Sequence, residues 1–193
     1  MTDTHSRKTA LRSALRQLRR SLSYAAQGAA AKALTQSVLS LPNWTGAQRI
    51  ALYLARDSEI DTSALATLAR AESKQLFLPV LTADNSLSFA RWNTADTQST
   101  NRYNILEPPI RAAQCPVADL DIIFLPVVGW DAQGGRLGMG GGYYDRALSG
   151  ITGPVLVGLA HESQRAERIP KESWDIVMDY IATDTGLHHC RSG

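Results

Sequence analysis

Cysteine is scarce. The chain has two in 193 residues, Cys115 before a proline and Cys190 near the end. Without a CxxC spacing or a dense framework, zinc sites and disulfide staples are excluded as organising features, and both thiols are expected reduced and unpaired. Long apolar runs are missing too. No stretch approaches the ~20 residues that cross a bilayer, and no apolar segment follows the basic N-terminus, so neither a membrane span nor a secretory signal is expected. A cytoplasmic protein is the expectation. Internal repeats and low-complexity segments are absent. Two standard phosphate strings are absent as well: GxxxxGK[ST] does not occur, and GxGxxG fails because Tyr143 stands where the third glycine belongs.

A broad basic surface is also lacking. Net charge is +2, but residues 1–23 hold six basic residues (Arg7, Lys8, Arg12, Arg16, Arg19, Arg20) against Asp3 alone. That leaves 14 basic and 17 acidic residues for the remainder, a net of −3. The positive charge belongs to one segment, which points to local anion binding and away from a nucleic-acid-binding face. The length suits one domain, 1–193, and the 44% apolar and 20% charged content is that of an ordinary globular chain.

Residues 6–22 read as an amphipathic helix. Leu11, Leu15, Leu18 and Leu22 form an apolar stripe, Ser6 is the expected N-cap, and Lys8, Arg12 and Arg16 share another face. A second helix is expected over 24–40, ending before Pro42. Strands are expected at 49–55, 75–81, 87–92, 121–128, 154–160 and 176–183, with helices at 61–72 and 143–149 and mostly loop over 93–118. The run DIIFLPVV at 121–128 suits a strand buried on both faces of a parallel sheet. Alternation of strand and helix from residue 49 onward predicts a layered α/β fold with a largely parallel sheet.

The sharpest feature is RLGMGGGYYD at 136–145, after a buried strand and at the start of a helix. Ligands of open α/β sheets bind beyond the carboxyl ends of the strands. Glycine leaves backbone N–H groups uncovered for phosphate oxygens, the helix start adds orphan donors, and Arg136 adds a fixed charge. On spacing alone, a phosphate cradle and a flexible surface turn stay equally open. Asp145 reads either as a first-turn acid complementing the helix dipole or as a magnesium ligand beside phosphates.

The segment FLPVVGWDAQGGRLGMGGGYYDRAL, 124–148, resembles the signature of the 5-formyltetrahydrofolate cyclo-ligases, also called methenyltetrahydrofolate synthetases. KTALR at 8–12, LYLARDSEID at 52–61 and DIVMDYIATD at 175–184 are similar to further family strings, in order. The resemblance implies a three-layer α/β/α fold of the NagB/RpiA/CoA-transferase-like kind, preceded by N-terminal helices. It implies conversion of 5-formyltetrahydrofolate and ATP to 5,10-methenyltetrahydrofolate, ADP and phosphate, with Mg2+. By position, Lys8 and Arg12 would contact ATP phosphates, and Arg136, Leu137, Gly138, Met139, Gly140, Gly141, Gly142, Tyr143 and Tyr144 would wrap the nucleotide. Leu54 and Glu59 would meet the folate, and Asp145 and Asp179 would hold magnesium. No nucleophile–base pair stands out, so Lys8 and Arg136 are the electrostatic candidates for catalysis. Small-molecule substrates, a monomer or dimer, and no nucleic-acid or membrane partner are expected.

Met139 departs from the family pattern, in which arginine is common, and Gly141 stands where some members have lysine. His161–Glu162 is not a zinc motif, because Arg165 fills the second histidine's place, and His188 and His189 are expected to be solvated. Three other readings stay open: a nucleic-acid-binding protein using the basic helix, an α/β enzyme for a sugar phosphate or CoA thioester, and a transit peptide over residues 1–23.

Overall fold

In the computed structural model, which describes residues 2–96 and 98–190, the first helix α1 spans Thr2–Arg20 and α2 spans Tyr24–Leu39. Strand β1 is Arg49–Ala51, α3 is Ser63–Ala71, β2 is Gln75–Leu81 and β3 is Leu87–Arg91. Three two-residue strands follow, β4 Ser99–Thr100, β5 Leu106–Glu107 and β6 Gln114–Cys115. Then come β7 Ile122–Pro126, the small hairpin of β8 Gly129–Trp130 and β9 Arg136–Leu137, and α4 Tyr143–Leu148. The chain closes with β10 Val155–Leu159, β11 Tyr180–Ala182 and β12 Leu187–His189.

Eight strands form one sheet in the order β12-β11-β10-β7-β1-β2-β3-β6. The five central strands from β11 to β2 are parallel, and β12, β3 and β6 add antiparallel edges. The expected α/β class with a largely parallel sheet is therefore found. From β1 the chain moves outward to β2, then returns past β1 to β7 and continues to β10. The order reverses between β1 and β7, and an open sheet has its crevice at such a point, beyond the strands' carboxyl ends.

Alternation along β7 explains its unbroken apolar run. Ile122 and Phe124 enter the core shared with Leu34, Val38, Leu65 and Ala69 of α2 and α3, while Ile123 and Leu125 enter a second core with Leu148 of α4, Met178 and Ile181. Both faces are covered, so all four side chains are fully buried.

Several sequence expectations shift. Helix α1 starts at Thr2, which places Ser6 inside it and not at a cap. Leu18 of the expected stripe is exposed, and the neighbouring Arg19 is fully buried in its stead. Its guanidinium bonds Asp57, which lets a charge occupy the inward face. The strand expected over 49–55 stops at Ala51, and the one expected over 176–183 covers only Tyr180–Ala182. Within 93–118, Gln114–Cys115 joins the main sheet beside β3. His188 is half-buried, its ring packed on Trp130 with centroids 4.7 Å apart and its Nε2 3.2 Å from a Glu162 oxygen, while His189 is exposed as expected.

Candidate active site

The loops after β1 and β7 both emerge at the crevice, and α1 lies across them. Leu11 and Leu15 pack with Val128, Leu137 and Ile169 around the β8–β9 hairpin. A Cβ on Gly129 would lie 2.3 Å from a Leu15 methyl, so the missing side chain is what admits the helix. With α1 seated, Lys8 and Arg12 are half-buried. Lys8 pairs with Asp175, and Arg12 Nε donates to the Gly138 carbonyl at 2.8 Å. The Arg12 guanidinium meets no carboxylate among the described residues and flanks Gly140 at 3.6 Å from its ideal Cβ position.

Gly140 has φ +97°, a conformation that L side chains rarely adopt, and Met139, Gly140 and Gly141 are exposed. The loop is thus uncovered backbone with Arg12 at its side. Arg146 braces it from within α4, donating to the Gly141 carbonyl at 2.8 Å and to the Asn85 carbonyl. Tyr143 joins Tyr103 hydroxyl to hydroxyl at 2.6 Å. Leu137 is buried in the hairpin, and Tyr144 is half-buried. Nothing in the composition singled out Arg146 or Tyr103; both act through contacts made far along the chain.

Two carboxylates face these cations. Asp145 Oδ1 takes a bond from Arg136 Nη2 at 2.5 Å and from the Ile176 amide at 3.1 Å. Asp175 immediately precedes that amide and pairs with Lys8. Asp145 and Asp175 are therefore neighbours, each held by one cation. Asp179 is not with them. Its Oδ2 accepts from the Leu156 amide at 2.8 Å, at the start of β10 and thus at the amino edge of the parallel strands. Three further residues of β10 beyond Leu156, roughly 10 Å of strand, separate Asp179 from the carboxyl end. The structure does not bring Asp145 and Asp179 together, because the run from Asp175 to Asp179 travels back along the sheet face to enter β11. Asp175 was missed in the sequence because DIVMD presents two equivalent acids, and only the fold says which one meets α4.

The loop after β1 carries the other side of the crevice. Tyr53 is buried, donates to the Ile60 carbonyl at 3.0 Å and anchors the turn, while Leu54 is half-buried against the core. Asp57 and Ser58 hold left-handed φ of 50° and 60°. The turn brings Glu59 Oε2 to the Arg56 amide at 3.0 Å. Burial raises the Glu59 pKa above the usual carboxylate range, opposed by that amide and by the charge of Arg19. Burial, with the negative charge of Glu59, also raises the hydroxyls of Tyr53 and Tyr144. Glu59, Tyr53 and Tyr144 thus share one low-dielectric corner beside the glycine loop.

Among the described residues, no group of three His, Cys, Asp or Glu forms a ready metal cage, and no helix is long and apolar enough to cross a membrane. The cysteines are both free. Trp130, fully buried, contributes to the core and not to the crevice surface.

A family model for the 5-formyltetrahydrofolate cyclo-ligases matches residues 4–184. The chain belongs to that family. It is therefore an enzyme, a ligase of folate one-carbon chemistry. The 5-formyltetrahydrofolate cyclo-ligase of Haemophilus influenzae is 36% identical over 173 residues, covering 87% of this chain and 92% of the relative. That of Escherichia coli is 34% identical over 176 residues, covering 88% and 96%. The solution structure of Aquifex aeolicus 5,10-methenyltetrahydrofolate synthetase superposes with a TM-score of 0.84 at 30% identity, covering 96% of this chain and 94% of the other.

Proposed function

We propose that this chain converts 5-formyltetrahydrofolate and ATP to 5,10-methenyltetrahydrofolate, ADP and phosphate, with magnesium. The observation that carries the reading is the meeting of α1 with the glycine loop: Arg12 stands beside the exposed backbone at 139–141, and Lys8, one turn earlier, pairs with Asp175 next to Asp145.

In this reading the formyl oxygen attacks the γ-phosphorus and ADP departs. The adjacent folate nitrogen then adds to the activated carbon, phosphate leaves with the C–O electron pair, and that nitrogen's proton goes to solvent. Such transfers depend on positioning and charge neutralisation. Lys8, Arg12 and Arg136 bind the phosphates, and the backbone from Gly138 to Gly142 supplies further donors. Tyr143 and Tyr144 close the loop around the reacting groups. Glu59, as a carboxylate, accepts from the amino-substituted pterin ring, and Leu54 lends it an apolar wall.

The donor set fits magnesium, which is commonly held by one or two carboxylates together with substrate phosphates. Asp145 and Asp175 would hold it, and it would neutralise charge on the phosphate oxygens. Asp179 is assigned to capping the start of β10. Lys8–Asp175 and Arg136–Asp145 are self-neutralised pairs in the protein as it stands. Phosphates compete for the cations while the metal competes for the acids, so nucleotide and metal favour each other's entry.

A cytoplasmic enzyme acting on small molecules, as monomer or dimer, is consistent with this chemistry. Nucleic acid is no part of the proposal, since Lys8, Arg16, Arg19 and Arg20 are engaged with carboxylates of the chain itself. Purified protein given 5-formyltetrahydrofolate, ATP and magnesium is expected to develop the near-ultraviolet absorbance of the methenyl product. No absorbance change with all three present, against a known cyclo-ligase as control, overturns the proposal.

A further inference from the structure

Five of the six Lys and Arg residues of α1 fall into two groups. Arg12 bonds the glycine loop and Lys8, one turn earlier, pairs with Asp175, whereas Arg16, Arg19 and Arg20 converge on Asp57. Asp57 Oδ2 accepts from Arg16 Nε at 3.0 Å and Arg19 Nη2 at 2.8 Å, and Oδ1 accepts from Arg20 Nε at 2.5 Å. Three guanidiniums on one carboxylate exceed what neutrality needs. Arg19 is fully buried, and its Nε and Nη1 have no hydrogen-bond partner among the described residues. Among the described residues, Asp57 is the carboxylate that its guanidinium bonds, with Glu59 adding a weaker negative charge nearby.

Asp57 also starts a turn that the backbone does not favour. Two successive residues with left-handed φ persist only where their surroundings over-determine them. The turn closes with the Glu59 amide on the Arg56 carbonyl at 2.8 Å and aims the Glu59 carboxylate. The buried His161, which begins the segment after β10, lies near the Ser58 backbone. The turn is thus held by α1 through Asp57 and bordered at Ser58 by the segment after β10.

Helix α1 is a single rigid element, rising about 1.5 Å per residue. Its grip on the glycine loop and its grip on the Asp57 turn cannot shift independently. We propose that Asp57 is a positioning residue that couples the two substrate sides, fixing Glu59 through the turn and linking it through α1 to Lys8 and Arg12. Binding on the phosphate side orders α1 and thereby the pterin-facing carboxylate, and the reverse holds by thermodynamic reciprocity. This rests on the cyclo-ligase reading above.

The test uses Asp57→Asn, which keeps a side chain tolerant of left-handed φ and removes the charge. Calorimetry with a non-hydrolysable ATP analogue and magnesium, without and with 5-formyltetrahydrofolate, gives the coupling ratio. In the parent protein each ligand is expected to tighten the other about fivefold or more. In Asp57→Asn the ratio falls to about one, and the KM for 5-formyltetrahydrofolate rises about tenfold, the scale of a lost charge-assisted contact. Should Asp57→Asn fail to fold, Arg20→Gln removes one exposed partner and is expected to move both quantities in the same direction, by less. A purely structural role lowers the active fraction and kcat alone. Unchanged KM and coupling ratio in the folded variant, or a ratio of one in the parent, overturns the proposal. A parent protein that neither binds the analogue nor forms product overturns the cyclo-ligase reading instead.

Discussion

Asp175 and Asp179 are chemically the same side chain, four residues apart, and their surroundings separate their tasks. Asp175 bonds Lys8 and the Glu172 amide beside Asp145, while Asp179 is exposed and caps a strand amide at the opposite edge of the sheet. Asp175→Asn and Asp145→Asn are each expected to raise the magnesium concentration needed for half-maximal rate, by about tenfold or more. Asp179→Asn is expected to leave the magnesium titration unchanged and to lower stability by about 1 kcal/mol, the typical worth of one hydrogen bond. A magnesium response in Asp179→Asn, with none in Asp175→Asn, would reverse the assignment. Glu59 permits a pH prediction of definite sign. In the proposed reading its ionised form accepts from pterin donors with both oxygens, whereas the protonated form gives up one acceptor for a donor, and burial raises its pKa. The kcat/KM for folate should therefore fall on acidification with a midpoint above the ordinary glutamate value of about 4.3. Glu59→Gln should remove that limb and raise the folate KM. Because the folded state favours the protonated acid, Glu59 subtracts stability as pH rises through the same range. The residue types of this site were legible in the sequence: the glycine run, Arg136, Asp145 and Glu59 sit in recognisable strings. Which acid partners Asp145 was not, since that depends on a contact between residues 31 positions apart.

At the scale of elements, α1 shows how a correct periodicity can be read onto the wrong face. Leucine spacing predicted a stripe through Leu18, yet Leu11 and Leu15 pack inward and Arg19 takes the next inward position. Hydropathy patterns assign charge to solvent; a carboxylate on a loop 38 residues away overrides that assignment here. The antiparallel edges β6 and β12 escaped the sequence for a related reason. Strands of two and three residues carry almost no period, and the sheet alone defines them. The long parallel strands β2, β7 and β10 were legible because burial on both faces demands continuous apolar runs. The seat of α1 is testable at Gly129. A methyl there meets Leu15 at 2.3 Å, so Gly129→Ala is expected to cost about 1–3 kcal/mol by overpacking. It should also raise the ATP requirement more than the folate requirement, because Lys8 and Arg12 ride on the displaced helix. Lys8→Ala should show the same asymmetry without the stability loss. Equal effects on both substrates in Lys8→Ala would argue against a phosphate role.

At the scale of the whole molecule, the sheet order explains why distant strings act at one place. The reversal between β1 and β7 opens a crevice at their carboxyl ends, and the Glu59 turn and the glycine loop are the segments that follow those two strands. Alternating strands and helices announced a parallel sheet, but not the order that puts β1 beside β7; that order had to be seen. The crevice is lined by opposed charges already paired with each other, Lys8 with Asp175 and Arg136 with Asp145. ATP alone would draw the cations away and leave two acids beside phosphate oxygens, whereas magnesium alone would find acids occupied by cations. Together they exchange partners without leaving a charge unmatched. The melting temperature is therefore expected to rise more with ATP and magnesium together than the sum of the two separate shifts. A ligand at one hundred times its Kd stabilises by about 2.7 kcal/mol, and a chain of this size gains about 2–4 °C per kcal/mol, so the joint shift should be roughly 5–10 °C. Asp175→Asn should reduce the joint shift toward that of ATP alone. Additive shifts in the parent protein, measured by differential scanning fluorimetry with the non-hydrolysable analogue, would show that the paired charges at the crevice do not exchange in this way.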